Sequence, residues 1–85
     1  MTSEKLTVSG MVLSSTPLGE NDKRVTLLTR ERGKIHAFAR GARRSASPLL
    51  ASTEAFALGS FQVYEGRSSY NIEKAEISHY FRELT

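Results

Sequence analysis

Lys34, His36, Phe38 and Arg40 occupy every second position of one stretch, and Gly41-Ala42-Arg43-Arg44 follows directly. In an extended strand, residues two apart share a face, so these four side chains are expected in one row. Cations beside an aromatic ring suit a chain of phosphates and bases. The cations neutralise the backbone, and an exposed ring gives a base a stacking surface worth roughly 1–3 kcal/mol. Arginine's planar fork can meet a phosphodiester with two parallel N–H bonds. Gly41 lets the chain turn, the loop supplies backbone N–H groups, and Ser45 and Ser47 add hydroxyl donors for phosphate oxygens. Contacts of this kind position a nucleic acid without reading its sequence. Phe38 has a second reading, burial against residues 41–53, and His36 is expected as a surface imidazole because no partner can be named for it.

The charge balance points the same way. Between Lys23 and Arg44 there are eight basic residues and one acid, Glu31, giving +7; the rest of the chain carries four bases and eight acids, giving −4. Lys23, Arg24, Arg30 and Arg32 therefore join the candidate backbone contacts on charge alone. Segregation of this size makes a local positive field and a polyanionic partner the natural expectation, with a merely solvated basic surface as the bland alternative.

Other chemistries find little support. The chain has no cysteine and two histidines, His36 and His79, so thiolate zinc sites and disulfides are excluded and no cofactor is expected. Glu20 and Asp22 are close in sequence, but in a turn such carboxylates organise backbone. No nucleophile motif and no lysine-serine phosphate loop occurs, so the chain is expected not to be an enzyme. MTSEKLTVSG lacks the apolar stretch of a secretory signal, and no apolar run approaches the roughly 20 residues of a membrane span. A soluble, cytoplasmic protein is expected.

The elements that would position the row are β-type. KLTVSGMVLS (5–14) reads as a first strand with a bulge or bend at Gly10. TPLGEND (16–22) reads as a loop, KRVTLLT (23–29) as a second strand, RERG as a tight turn with Gly33 at positive φ, and GKIHAFAR as a third strand completing a hairpin. Ile35, Ala37 and Ala39 are its core face. Within GARRSASPLLAST (41–53), Leu49–Ala51 are expected to add one helical turn plugging the core. EAFALGSFQVYEG is a fourth strand whose inward face switches at Gly59, and YNIEKAEISH a fifth. SHYFRELT is expected to begin a C-terminal helix capped by Ser78. The predicted fold is all-β: a five-stranded Greek-key barrel of the OB type, with an SH3-like barrel as competitor. One domain is expected over residues 1–80, with 81–85 starting a helix that leads elsewhere.

Several of these segments, in this order, resemble the N-terminal domain of the RecO family of bacterial recombination mediators. They are Met11–Val12–Leu13, Gly19–Glu20 with Asp22, Thr26–Leu27–Leu28–Thr29, Gly33–Lys34, Ala39–Arg40–Gly41–Ala42–Arg43, and the serines 45 and 47. The resemblance covers roughly residues 8–78 and implies an OB-fold that binds single- and double-stranded DNA. It implies a role in repair and recombination, in strand annealing and, with RecR, in loading RecA onto DNA coated with single-strand-binding protein. Carried over by residue, Lys34, Arg40, Arg43 and Arg44 would be backbone-binding positions. Family members continue into a helical region and commonly hold a cysteine-ligated zinc; this chain has neither, so it is expected to be an isolated N-terminal domain. Contact with single-strand-binding protein is expected to need the missing region. A protein-interaction domain docking RecR or another acidic partner, and an RNA-binding OB domain, are the alternative expectations.

Overall fold

The computed structural model describes residues 5–44, 47–67 and 69–81. Five strands and one helical turn follow in order: β1 (Lys5–Leu18), β2 (Asp22–Thr29), β3 (Gly33–Ala39), α1 (Leu49–Ser52), β4 (Ala57–Glu65) and β5 (Tyr70–Tyr80). The strands close into a barrel in the order β1-β2-β3-β5-β4. All neighbours are antiparallel except β3 and β5, which meet in parallel through Ala37↔Tyr70 and Phe38↔Asn71. That order, with α1 between β3 and β4, is the OB topology and excludes the SH3-like alternative.

Alternation builds the core. Val8 and Val12 of β1, Val25 and Leu27 of β2, Ile35, Ala37 and Ala39 of β3, Phe61 and Val63 of β4 and Ile72 of β5 are all buried. Leu49 of α1 is buried with them, as the expected plug. Its turn is tightened by Thr53, whose wholly buried hydroxyl donates to the Leu49 carbonyl.

Several expectations about the strands are corrected. The first strand does not stop at Ser14; it runs to Leu18 beside β2, and only Gly19–Asn21 turn. Its irregularity falls between Val12 and Ser14, not at Gly10. Leu13 is the extra residue, and the inward set moves from even positions (Val8, Val12) to the position of Ser15, opposite buried Val25. Gly10 has another task. It pairs with Thr29 on one side and Gly59 on the other, and any Cβ there would collide with the Leu28 carbonyl oxygen. A glycine is needed where a coiled strand is squeezed between two neighbours.

The second correction concerns Gly59. Inward positions of β4 keep one parity from Ala57 to Val63; the extra residues are on β5, where the register shifts opposite Leu58/Gly59 and again opposite Gln62/Val63. Buried Ile72 is thereby followed by half-buried Ala75 and Ile77, an odd spacing that a bulge allows. The third concerns the chain's end. β5 continues to Tyr80, and the Ser78 hydroxyl donates to the Leu58 carbonyl rather than capping a helix. The remainder of the expected helix, 82–85, lies outside the described residues. β4 likewise starts at Ala57 rather than Glu54, because residues 53–56 turn and Phe56 adopts φ +70°.

Candidate nucleic-acid interface

The β2–β3 hairpin carries the cations because its two strands alternate in phase. Register pairs Arg24 with Phe38, Thr26 with His36 and Leu28 with Lys34, and directly opposed side chains lie on the same face. All six point away from the core; Phe38 and Thr26 are half-buried and the others exposed. Arg24, named beforehand on charge alone, is thus the immediate neighbour of the ring. His36 Nδ1 lies 3.2 Å from Thr26 Oγ1, an orienting partner that no short-range motif announces. Phe38 keeps part of its ring in solvent, between the two readings given to it.

Lys23 goes the other way. It lies one position from Arg24, so its side chain turns inward and is 8% exposed. Its ammonium donates to the Leu50 carbonyl at 3.2 Å and to Glu54 Oε2 at 3.0 Å. Lys23 ties the α1 segment to the barrel and is not offered to a ligand; the sequence placed it with the contacts only because charge counting ignores strand parity.

Beyond β3 the chain enters the GARR loop, and here the three-residue turn after β1 proves to be its support. Gly41, at φ +69°, donates its N–H to Asp22 Oδ1 at 2.7 Å. Arg43 donates its N–H to the Asn21 carbonyl at 2.8 Å and its Nη1 to the Gly19 carbonyl at 2.7 Å. Ala42 N–H reaches the Ala39 carbonyl at 3.4 Å, Arg44 N–H reaches that of Gly41 at 3.1 Å, and the Ala42 methyl is buried in the core. Every backbone N–H from Gly41 to Arg44 is therefore already paired. The loop amides are thus not free to cradle a phosphate, and the groups left to offer an anion are the guanidinium groups. Ser47 Oγ accepts the Leu49 N–H at 3.0 Å, which fixes the side chain and leaves its O–H as a donor; Ser45 lies outside the described residues.

Among the described residues, the exposed side chains of Arg40 and Arg44 have no hydrogen-bonded or ion-paired partner, whereas that of Arg43 is held by Gly19. Arg30 and Arg32 are exposed at the opposite end of the hairpin. There Glu31 Oε1 accepts the Ser9 N–H at 2.8 Å and Arg30 donates its N–H to the Ser9 carbonyl at 2.9 Å, pinning the turn to β1. Beside this turn the surface is aliphatic. Leu28, 49% exposed, pairs with Met11, and Met11 with Leu58; together with Arg30 they line a groove of about 660 Å3.

The β1–β4–β5 side has a different electrostatic character. Lys5 Nζ lies 3.2 Å from Glu73 Oε1 and 5.3 Å from the centre of the Tyr64 ring, and Tyr64 donates its hydroxyl to Glu73 Oε2 at 2.8 Å. The bonds from Tyr64 and then Lys5 hold the Glu73 carboxyl below its ordinary value, and the bonds to Glu73 and Tyr64 raise the Lys5 ammonium. Among the described residues no group of three acidic, histidine or cysteine side chains gathers into a metal site, and no helix is long and apolar enough to cross a membrane.

The closed five-stranded barrel, with a cationic, partly aromatic hairpin face and a braced arginine loop, places this domain in the OB-fold class. Residues 1–81 match the family model described as the recombination protein O N-terminal domain, and the chain belongs to that family. It is 46% identical over 68 residues to the DNA repair protein RecO of Bacillus velezensis, covering 80% of this chain and 27% of that protein. The RecO of Symbiobacterium thermophilum is 42% identical over 77 residues, 91% of this chain and 30% of its own length. That of Clostridium novyi is 40% identical over 74 residues, 87% and 29% respectively. The chain thus spans about three tenths of the length of these relatives.

Proposed function

We propose that this domain binds the sugar–phosphate backbone of DNA, single strands foremost, as the non-enzymatic nucleic-acid-binding part of a DNA repair and recombination protein. The observation that carries the reading is the continuity of Arg24, Lys34, His36 and Phe38 on the hairpin face with the unpaired Arg40 and Arg44 beside it. Cations there neutralise successive phosphates while the half-open Phe38 ring meets a base. Arg30 and Arg32 extend the field along the strand rather than define the contact. The names of the relatives support the repair role. Strand annealing and RecA loading with RecR are activities of the whole protein in this reading, with double-stranded DNA as a second ligand and single-strand-binding protein engaged through other parts. A cytoplasmic, nucleoid-associated location goes with it.

One observation favours a second reading. The aliphatic groove of Leu28, Met11 and Leu58 offers no ring for a base, but with Arg30 beside it suits an acidic protein surface such as RecR could present. DNA binding at one end of the hairpin and protein docking at the other are compatible.

The test is fluorescence anisotropy of a labelled oligothymidylate, longer than the roughly 4–16 nucleotides one OB-fold covers, titrated at several salt concentrations beside double-stranded DNA and RNA of matched length. A backbone binder loses affinity linearly on a log–log plot, with a slope near −0.7 per neutralised phosphate on a single strand. Micromolar binding at low salt with such a slope supports the reading. No binding at about 50 mM salt, where phosphate contacts are strong, overturns it. Tighter binding to RNA moves the domain to the RNA-binding class.

A further inference from the structure

The β1–β2 junction carries two acids, Glu20 in the turn and Asp22 at the start of β2, beside the loop in which the DNA-binding reading places its strongest contacts. On charge alone this is counterproductive, because a carboxylate near a phosphate weakens its binding. The geometry assigns a different role. We propose that Asp22 and Arg43 are positioning residues: they lock the 40–44 loop so that Arg40 and Arg44 face the ligand, and neither touches DNA. The proposal rests on the DNA-binding reading and deepens it.

The lock has three parts. Asp22 Oδ1 takes the Gly41 N–H at 2.7 Å, at the one loop residue whose positive φ sets the direction of everything after it. The Arg43 backbone N–H is held by Asn21 and its guanidinium by Gly19, at 2.8 and 2.7 Å. All three acceptors lie in the Gly19–Asp22 segment, so turn and loop form one unit. Ala42, buried between the two arms, anchors it to the core. The loop's arginines thereby divide into one whose guanidinium is spent on the protein and two that extend without a partner among the described residues. A preorganised loop needs less ordering when DNA binds, and avoiding that cost raises affinity without any added contact.

The proposal makes a prediction of sign. Asp22→Ala raises the domain's net charge by one, so field effects alone predict tighter DNA binding. Positioning predicts the reverse: affinity falls by roughly 3- to 10-fold, the scale of one ordinary hydrogen bond's net contribution, and the salt slope stays within about 0.3 of wild type. Asp22→Asn removes the charge but keeps an oxygen that can accept the Gly41 N–H, and it is expected to bind within about twofold of wild type or tighter. Arg43→Gln keeps the wild-type slope within about 0.3, whereas Arg44→Gln flattens it by about 0.7, one phosphate's share on a single strand. Amide exchange in the free protein provides a readout independent of DNA. Asp22→Ala should accelerate Gly41–Arg44 and leave the β4–β5 amides unchanged.

Each outcome discriminates. If wild type binds and Asp22→Ala binds equally or more tightly, the positioning role is wrong and the DNA-binding reading survives. If Asp22→Asn loses as much affinity as Asp22→Ala, the carboxylate's charge matters and the proposal is overturned. If Asp22→Ala does not fold, Arg43→Gln against Arg44→Gln decides: equal flattening makes Arg43 a phosphate contact and ends its positioning role. If wild type binds no DNA, the reading of function falls and takes the proposal with it.

Discussion

The two ends of the β2–β3 hairpin use the same device for different results. At each end a carboxylate accepts a backbone N–H from a separate strand or loop: Asp22 from Gly41 at one end, Glu31 from Ser9 at the other. At the Asp22 end the acid is consumed holding a loop, and Arg40 and Arg44 extend beyond it beside the Phe38 strand. At the Glu31 end the acid sits between Arg30 and Arg32 in sequence, the turn is pinned flat on β1, and the neighbouring surface is aliphatic. In the DNA-binding reading proposed above, similar numbers of cations serve as an arginine clamp at one end and as a diffuse field beside an apolar groove at the other. Arg30 and Arg32, like Arg40 and Arg44, have no side-chain partner among the described residues; what separates the two ends is their surroundings, a half-buried ring at one and aliphatic side chains at the other.

The largest expected effect breaks the comparison directly. Arg40→Ala/Arg44→Ala should weaken binding to a single-stranded oligonucleotide by tenfold or more at low salt and flatten the log–log slope by about 1–2. Arg30→Ala/Arg32→Ala should cost less than about threefold at the same salt. Equal losses in the anisotropy titration would mean that the two ends are equivalent and the clamp is no clamp.

Next in size is Phe38→Ala, expected to lose about 1 kcal/mol of single-strand affinity, the lower part of the stacking range because the ring is half-covered. Leu28→Ala, at the aliphatic end, should leave DNA affinity within about twofold. A loss at Leu28 matching that at Phe38 would extend the DNA path over the groove and remove the case for a protein partner there.

Lys23→Met separates stability from binding. The methionine keeps an apolar stem where the lysine stem is buried, while the bonds to Leu50 and Glu54 disappear. DNA affinity should hold within about twofold, and the melting temperature should fall by a few degrees, as a loss of about 1 kcal/mol implies for so small a domain. A large drop in affinity with an intact fold would return Lys23 to the interface.

The smallest effect lies on the β1–β4–β5 side. Because Tyr64 and Lys5 lower the Glu73 carboxyl, its stabilising contribution is present above the ordinary value of 4.5 and is lost as pH falls through the lowered one. Lys5 is raised from 10.5, so its share holds below that value and disappears as pH rises through the raised one. Glu73→Gln should therefore cost a small amount of stability at neutral pH and abolish the acid-limb transition in a pH titration followed by NMR, with DNA binding unaltered.

Much of this protein could be read from local pattern. Two-residue alternation in 34–40 assigned Ile35, Ala37 and Ala39 to the core and the cations and Phe38 to the other face, because pleat geometry allows only two directions. The same periodicity located the hairpin, and Leu49 announced its plug as an apolar residue in a polar loop. Where reading failed, a non-local partner had decided. Lys23 looked like another surface cation until its parity and its distant acceptors at Leu50 and Glu54 placed it inside. Gly10 looked like a bulge or bend and Gly59 like a switch of the inward face, but close approach of neighbouring strands explains Gly10, and the extra residues fell at Leu13 of β1 and on β5. The strand-to-helix change expected at Ser78 did not occur because β4 extends the pairing to Tyr80.

By itself, the order of residues determined an all-β barrel, a cationic hairpin and the identity of the arginines nearest its end, since these follow from short-range periodicity and net charge. Only the tertiary structure decided which cations remain unpaired, which are consumed, and that the acids at 20–22 fold back beside the arginines at 40–44. The physical reason is that a hydrogen bond across 19 residues, such as Asp22 to Gly41, depends on barrel closure and leaves no periodic trace in the chain.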